Sequence, residues 1–376
     1  MDILKKLFNN IFFEKLLLSV LLLCSFLLCI LQNFDHDEFE AVHTAWKILH
    51  NERIYIDFFQ QKPPFFHYTL IPFIKIFKET ITALFACKIY SYVLFCAILY
   101  VAYLISKDVF GSRIKYLTLA IILSFTVFTD KLTEIRPDIL YILFAMLAVY
   151  FLYKNIRIKK QSIILSAISL GLSFVVLPKA VFYVVPIGII LIVRLFLKKV
   201  SLIDLLLYIL TFICTLIPFF IFLLRDITFA DYWFFNYSIN ANFLGAFSPK
   251  YNWIFILKYN FEFFILALLG SLSIKSYRQI EIYVLACFLL ATTFWVKAPN
   301  FQYYVPAMPF FAMIAANSVV KIGIGKKNSS IVLAILMIFP MKFYIQQLTE
   351  NRNRLQLSRI QYVLDNTKPG DYVYDG

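Results

Sequence analysis

Apolar stretches long enough to cross a lipid bilayer recur along the whole chain, and they constrain its fold more than any other feature. Residues 82–105, 205–224 and 253–272 are examples, each near the roughly 20 apolar residues that a transmembrane helix requires. Only 15% of the residues are charged, whereas 61% are hydrophobic, which excludes a soluble domain with a water-facing surface. The pattern predicts an all-α polytopic membrane protein with about eleven crossings in one transmembrane domain, residues 1–345.

The net charge of +14 does not indicate a nucleic-acid partner, because the basic residues lie in short clusters between apolar stretches. We place the strongest cluster, residues 154–160, in the cytoplasm by the positive-inside rule. Counting crossings from there puts the N-terminus in the cytoplasm, and the loop of residues 32–64 and a polar tail of residues 346–376 outside. The lack of a large luminal insert favours a bacterial inner membrane, so that the outer side is the periplasm.

The first outer loop, residues 32–64, is the most polar stretch of the chain. Four of its acids lie close together near its start, namely Asp35, Asp37, Glu38 and Glu40. Carboxylates at a membrane face are costly, so they usually mark a site of chemistry or binding. Asp35 followed by Glu38 also fits a capping box, which predicts a short helix over residues 38–50.

The predicted topology brings polar residues from distant loops to the outer face. These residues are Asp37, Glu38, Lys62, Arg136, Asp138, Lys179, Lys297 and Tyr304. Acids and bases gathered at one end of a helical bundle suit an anionic, lipid-linked substrate. A carboxylate can take the proton of an attacking hydroxyl, and lysine or arginine can hold a phosphate leaving group.

Several of these residues also have simpler interpretations. Arg136 and Asp138 can form an interfacial ion pair without a catalytic role. Lys179 and Lys297 can be lysines whose charged ends extend to the membrane interface. Tyr304 can belong to the belt of aromatic residues at the interface.

Four landmarks follow one another along the chain, all on the outer side. They are Asp37-Glu38, Lys62-Pro63-Pro64, Arg136-Pro137-Asp138 with the later Lys179, and Tyr304-Val305-Pro306-Ala307-Met308-Pro309. In this order they resemble the protein-mannosyltransferase and aminoarabinose-transferase group of the glycosyltransferase C superfamily. The resemblance covers nearly the whole chain. It implies a bundle of transmembrane helices with the first outer loop packed on its outer face.

The resemblance also implies a reaction, the inverting transfer of a sugar from a polyprenyl-phosphate donor to an acceptor hydroxyl. The implied roles are catalytic base for Asp37, neighbouring acid for Glu38, second acid for Asp138, phosphate contacts for Lys62 and Lys179, and donor-pocket lining for Tyr304. The chain differs from the group at Gln302, where a basic residue or histidine is more usual. The acceptor therefore stays open between a glycan, lipid A and a protein.

No cofactor is expected, since the group that the chain resembles needs no catalytic metal. A divalent cation held by Asp35, Asp37 and His43 is the alternative. Two other functions also stay open. A transporter or flippase of lipid-linked glycans would place charges near the middle of the membrane on broken helices. A polysaccharide polymerase or ligase would use arginines in large outer loops, and the loop of residues 225–252 is not rich in arginine.

Overall fold

The computed structural model describes residues 10–154, 159–242, 249–272, 274–296, 300–321, 338–350 and 353–367. The main helices are α1 (Asn10–Leu31), α2 (His36–Leu49), α3 (Phe65–Phe77), α4 (Ile81–Phe110), α5 (Lys115–Ser124), α6 (Thr126–Leu132), α7 (Pro137–Tyr153), α8 (Lys159–Val176), α9 (Val181–Phe196), α10 (Leu202–Leu223), α11 (Phe229–Trp233), α12 (Ile239–Asn242), α13 (Pro249–Ser271), α14 (Tyr277–Ala291), α15 (Met308–Lys321), α16 (Ile338–Glu350) and α17 (Arg354–Asn366). Short 3-10 turns and a π-helical turn join some of them. The prediction of an all-α polytopic membrane protein is confirmed.

Six helical segments of the described chain have the length and apolar composition of a membrane span. They are Phe12–Leu31, Ile81–Phe110, Pro178–Phe196, Leu202–Leu223, Pro249–Ser271 and Phe301–Lys321. The pair α6 and α7 is also apolar but bends by 113° between its two helices. Three further apolar helices are shorter, namely α3, α5 and α8. The predicted number of about eleven crossings includes these shorter and bent helices, so length and composition alone do not test it.

A break at Phe125 separates α5 from α6 and leaves backbone groups without helical partners. The side chain of Asn260, on α13, provides hydrogen-bond partners for two of these groups. Its amide nitrogen donates to the carbonyl of Ser124 at 2.7 Å, and its oxygen accepts from the N–H of Thr126 at 3.2 Å. Asn260 is itself non-helical within α13, with φ −141° and ψ 16°. The break is therefore a fixed joint that sets the direction of α6.

The predicted helix in the first outer loop is confirmed, and it begins two residues earlier than expected, at His36. Asp35 is its N-cap, and the Asp35 N–H donates to the Glu38 carboxylate at 2.9 Å in the predicted capping box. The rings of Phe34 and Phe39 lie 5.7 Å apart on either side of this cap, as in a hydrophobic staple. Local sequence thus fixes where α2 starts and how the chain enters it.

The C-terminal part of the chain is helical where it is described. Helix α16 runs through residue 345, where the sequence suggested that the transmembrane domain ends and a tail begins. Helix α17 follows and meets the C-terminal end of α1, since the N–H of Asn353 donates to the carbonyl of Leu31 at 2.9 Å. The tail is thus joined to the end of α1.

Candidate active site

Asp37 lies in the first turn of α2, between two cations that come from distant segments. The Lys62 ammonium is 3.2 Å from one of its carboxylate oxygens, and the Arg136 guanidinium forms an ion pair with the other. Burial by itself would raise the pKa of Asp37, but Arg136 and Lys62 outweigh it and hold that pKa well below its usual range. The structure therefore brings together three of the predicted site residues.

Arg136 is the buried centre of this group, with only 6% of its side chain exposed. Besides Asp37, its guanidinium nitrogens face Glu134 at 2.9 Å, Asp35 at 3.6 Å and Asp138 at 3.9 Å. Its charge is thus shared among four carboxylates of this chain. Such an arrangement orients the acids, and the direct substrate contact expected for Arg136 stays a prediction.

Asp138 and Lys179 form the second half of the site. Asp138 is in the first turn of α7, directly after Pro137, and its carboxylate accepts a hydrogen bond from the Lys179 ammonium at 3.1 Å. The same ammonium lies over the ring of Tyr303, 4.4 Å from its centroid. The long contact between Asp138 and Arg136, 3.9 Å, connects this pair to Asp37.

Glu38 lies below the site and has no exposed surface. Its carboxylate pairs with the Lys88 ammonium at 3.3 Å and accepts backbone N–H groups from Asp35 and Ile135, each at 2.9 Å. Burial raises the pKa of Glu38, although Lys88 and the two N–H groups lower it. Glu38 joins α2 to the segment before α7, so its position is that of a support and not of a group that faces substrate.

Sequence reasoning missed three charged residues beside Arg136. The Lys131 ammonium pairs with Glu134 at 2.7 Å and with Asp130 at 3.2 Å, and it lies 3.9 Å from Asp35. The signal was present, because residues 130–138 hold five charged residues between two apolar stretches. These residues extend the charged site from α2 towards α6.

One predicted substrate contact, Tyr304, does not reach this cluster. Tyr304 is fully buried and packs edge-on against Trp253, with 5.3 Å between ring centroids. Its neighbour Tyr303 makes the contact with Lys179, and the donor-pocket role of Tyr304 stays a prediction. Lys297 lies outside the described residues.

A cavity of about 320 Å³ opens beside the acids, within the usual size range of ligand pockets. It is lined by Gln32, Asn33, Phe34, Asp35, Asp130, Lys131, Glu134, Phe255, Phe343 and Gln347. Amides and carboxylates can bind hydroxyl groups, and phenylalanine rings can cover the apolar face of a sugar. Asp35 belongs both to the cavity wall and to the group around Arg136.

The alternative metal site is not assembled as the sequence suggested. The ring of His43 stacks on Trp46, with centroids 5.9 Å apart. In the described part of the chain, the residues that could share an ion are His36, Asp37 and Glu40, whose ligand atoms lie within 4.8 Å of one another. The Lys62 ammonium already contacts Asp37 at 3.2 Å and Glu40 at 2.9 Å. A cationic side chain of the protein therefore stands between these two carboxylates.

Comparisons with known proteins agree on the architecture. Residues 61–223 match the family model of dolichyl-phosphate-mannose-protein mannosyltransferases. No curated protein matches the chain by sequence. Among solved structures, ArnT from Cupriavidus metallidurans bound to undecaprenyl phosphate is similar, with a TM-score of 0.71, 12% identity, and coverage of 94% of this chain and 81% of ArnT.

Two further similar structures come from an archaeon and a mycobacterium. The oligosaccharyltransferase of Archaeoglobus fulgidus has a TM-score of 0.62 and 13% identity, over 96% of this chain and 59% of its own. The arabinosyltransferase EmbB of Mycobacterium smegmatis has a TM-score of 0.54 and 12% identity, over 92% of this chain and 38% of its own. At such identities the likeness establishes the fold.

Proposed function

Because this chain is an integral membrane protein with the fold of the glycosyltransferase C superfamily, we propose that it transfers a sugar from a polyprenyl-phosphate donor to an acceptor hydroxyl. Transfer takes place at the outer face of the membrane, with inversion at the anomeric carbon. The placement of Asp37 between Lys62 and Arg136 is the observation that carries the proposal. The match of residues 61–223 to the mannosyltransferase family model supports it.

In this reaction the acceptor oxygen forms a bond to the anomeric carbon while the bond from that carbon to the phosphate oxygen breaks. The acceptor's proton goes to the Asp37 carboxylate, and the phosphate leaves on its polyprenyl carrier. Lys62, with Lys179 nearby on Asp138, offsets the charge that develops on the phosphate. Asp138 keeps Lys179 in place, and Arg136 keeps the acids in place.

The low pKa of Asp37 raises a difficulty, since a strongly paired carboxylate is a poor proton acceptor. The donor phosphate reduces this difficulty, because it competes with Asp37 for Lys62. The Lys62 ammonium is shared with Glu40 and its side chain is 16% exposed, whereas Arg136 is enclosed by carboxylates. Once Lys62 turns to the phosphate, one of the two cations that lower the pKa of Asp37 is lost and that pKa rises, while Arg136 continues to lower it. Donor binding thereby prepares the base.

The cavity beside Asp35 is the space that we assign to a sugar ring, because its wall combines carboxylates, amides and phenylalanine rings. The acceptor is a hydroxyl of a glycan, of lipid A or of a protein. Similarity to ArnT bound to undecaprenyl phosphate supports a polyprenyl-phosphate carrier. The proposed location is a bacterial inner membrane with the site and the tail in the periplasm.

The test is sugar transfer by the full chain in membranes from radiolabelled polyprenyl-phosphate sugars. Asp37→Asn keeps the size of the side chain and removes the base, so the rate should fall about 10²- to 10⁴-fold. The matched control is Asp57→Asn, in the same loop, because Asp57 pairs only with the exposed Arg53 among the described residues, at 3.1 Å. Transfer that survives in Asp37→Asn would remove Asp37 as the base. No transfer by the wild type from any donor would overturn the proposed function.

A further inference from the structure

Helix α17 is hydrogen-bonded to the segment that leads into α2, the helix that carries Asp37. The side-chain oxygen of Gln356 accepts the N–H of Phe34 at 2.8 Å, and its side-chain nitrogen donates to the carbonyl of Phe34 at 3.0 Å. The two residues are 322 positions apart in the sequence. One primary amide thus satisfies both backbone groups of a single residue.

Asn353 makes a second connection one turn earlier in the chain. Its backbone N–H donates to the carbonyl of Leu31 at 2.9 Å, and its side-chain nitrogen donates to the carbonyl of Ile30 at 2.7 Å. Carbonyls in the last turn of a helix lack partners within the helix. Asn353 therefore caps α1 and brings Gln356 to the link between α1 and α2, residues 32–35.

Phe34 is the residue of this link on which the position of α2 depends. Only 4% of it is exposed, and its ring lies 4.1 Å from the Lys88 ammonium, which pairs with Glu38. Its backbone is outside any helix, so its buried N–H and carbonyl need partners from elsewhere. The following residue, Asp35, caps α2, and Asp37 comes two positions later.

We propose that Gln356 is a positioning residue for sugar transfer, which acts through the backbone of Phe34 to fix the start of α2 and hence the Asp37 carboxylate. The inference rests on the proposed function for its catalytic consequence. Its structural part, the fixing of the link, stands on the hydrogen bonds alone. The two parts can therefore be tested by separate measurements.

Hydrogen–deuterium exchange of the purified full chain tests the structural part. Gln356→Met keeps the length of the side chain and removes both hydrogen bonds, so amide exchange in residues 32–39 should accelerate by about tenfold or more. Gln361→Met is the matched control, since Gln361 lies on the same helix and bonds to Asp365 within it, at 2.7 Å. Exchange at residues 32–39 that is the same in both variants would overturn the inference.

Steady-state kinetics tests the catalytic part. A displaced base loses rate more than binding, so Gln356→Met should lower kcat about 10- to 100-fold while the KM for the donor changes less than about threefold. Gln356→Glu keeps the acceptor and loses the donor, so its kcat should lie between those of wild type and Gln356→Met. It also serves as the test variant should Gln356→Met fold poorly.

The outcomes separate the two proposals. Faster exchange at the link with unchanged kcat would overturn the positioning role and leave sugar transfer intact. If the wild type transfers no sugar, the proposed function fails, and the exchange comparison alone decides whether Gln356 holds Phe34.

Discussion

The substitution Lys88→Met removes an ammonium group and tests whether the ion pair of Lys88 and Glu38 below the active site is shielded from water. Lys88 is 1% exposed and Glu38 is fully buried, and they lie 3.3 Å apart. Methionine fills nearly the same space without the charge. The change leaves the Glu38 carboxylate with the N–H groups of Asp35 and Ile135 as its remaining partners among the described residues.

The expected loss of folding free energy depends on whether Glu38 stays ionised or becomes protonated in the folded variant. Loss of one partner from a buried pair costs about 3–5 kcal/mol when the other charge stays. Protonation of Glu38 limits that loss, because it costs about 1.36 kcal/mol for each pH unit above the unfolded pKa of about 4.3. The loss of folding free energy therefore cannot exceed about 3.7 kcal/mol at pH 7 or about 1 kcal/mol at pH 5.

The sign of the pH dependence follows from the pKa of Glu38, which burial raises and Lys88 lowers, so that loss of Lys88 raises it further. A raised folded pKa favours the protonated form in the folded state. The variant is therefore most stable, relative to wild type, at low pH, and it loses stability as the pH rises towards the folded pKa. Acidic conditions should thus rescue Lys88→Met.

The assay is thermal unfolding of the purified protein in detergent, followed by intrinsic fluorescence at pH 5 and pH 7. Lys107→Met is the control, because Lys107 is an exposed lysine on the same helix, α4. Adding Glu38→Gln to Lys88→Met should recover part of the Tm. The recovery is partial because the two N–H groups donate to different carboxylate oxygens, and the amide keeps only one of these oxygens. An equal loss of Tm at both pH values would refute the reasoning.

Three further results are expected at the active site. Lys62→Met removes a cation from Asp37 and so raises the pKa of that carboxyl, which should move the acidic limb of the kcat/KM profile to higher pH; a profile that stays in place would contradict the ion pair. Tyr303→Leu removes the ring beneath Lys179 and should raise the donor KM about two- to fivefold, which corresponds to a cation–π contact of about 0.5–1 kcal/mol. Tyr303→Phe keeps the ring and is the control, with an unchanged KM. EDTA should leave the transfer rate unchanged, because Lys62 supplies the positive charge between Asp37 and Glu40; loss of activity that Mn²⁺ or Mg²⁺ restores would show a metal requirement.

The parts of the structure that the sequence predicted rest on local signals and on the pattern of hydropathy and charge along the chain. Asp35 and Glu38 are three residues apart in a capping box, and the structure shows α2 with that cap. The grouping of Arg136 and Asp138 with Asp37 followed from hydropathy and the placement of basic clusters, which assign each loop to a side of the membrane. These signals act within a few residues or over a whole bundle, so one sequence suffices for them.

The remaining features depend on how side chains point and on contacts between distant segments. Glu38 follows Asp37 directly, yet the turn of the helix directs one inward and the other outward. Tyr303 and Tyr304 are likewise adjacent, and their order on a 3-10 turn decides which one meets Lys179. Gln356 lies in a stretch with no motif, so its bond to Phe34 becomes evident only when the helices are packed.

The joint made by Asn260 has a consequence for the order in which the protein is assembled at the ribosome. The N–H of Thr126 can bond to Asn260 only after a further 134 residues have been translated. This takes about 7–27 s at 5–20 residues per second. The link at Phe34 can bond to Gln356 only after a further 322 residues, which takes about 16–64 s at the same rate. The segment that carries Asp37 is thus among the first to leave the ribosome and among the last to be held in place. A nascent chain that stalls before α17 lacks the two hydrogen bonds by which Gln356 holds the link at Phe34.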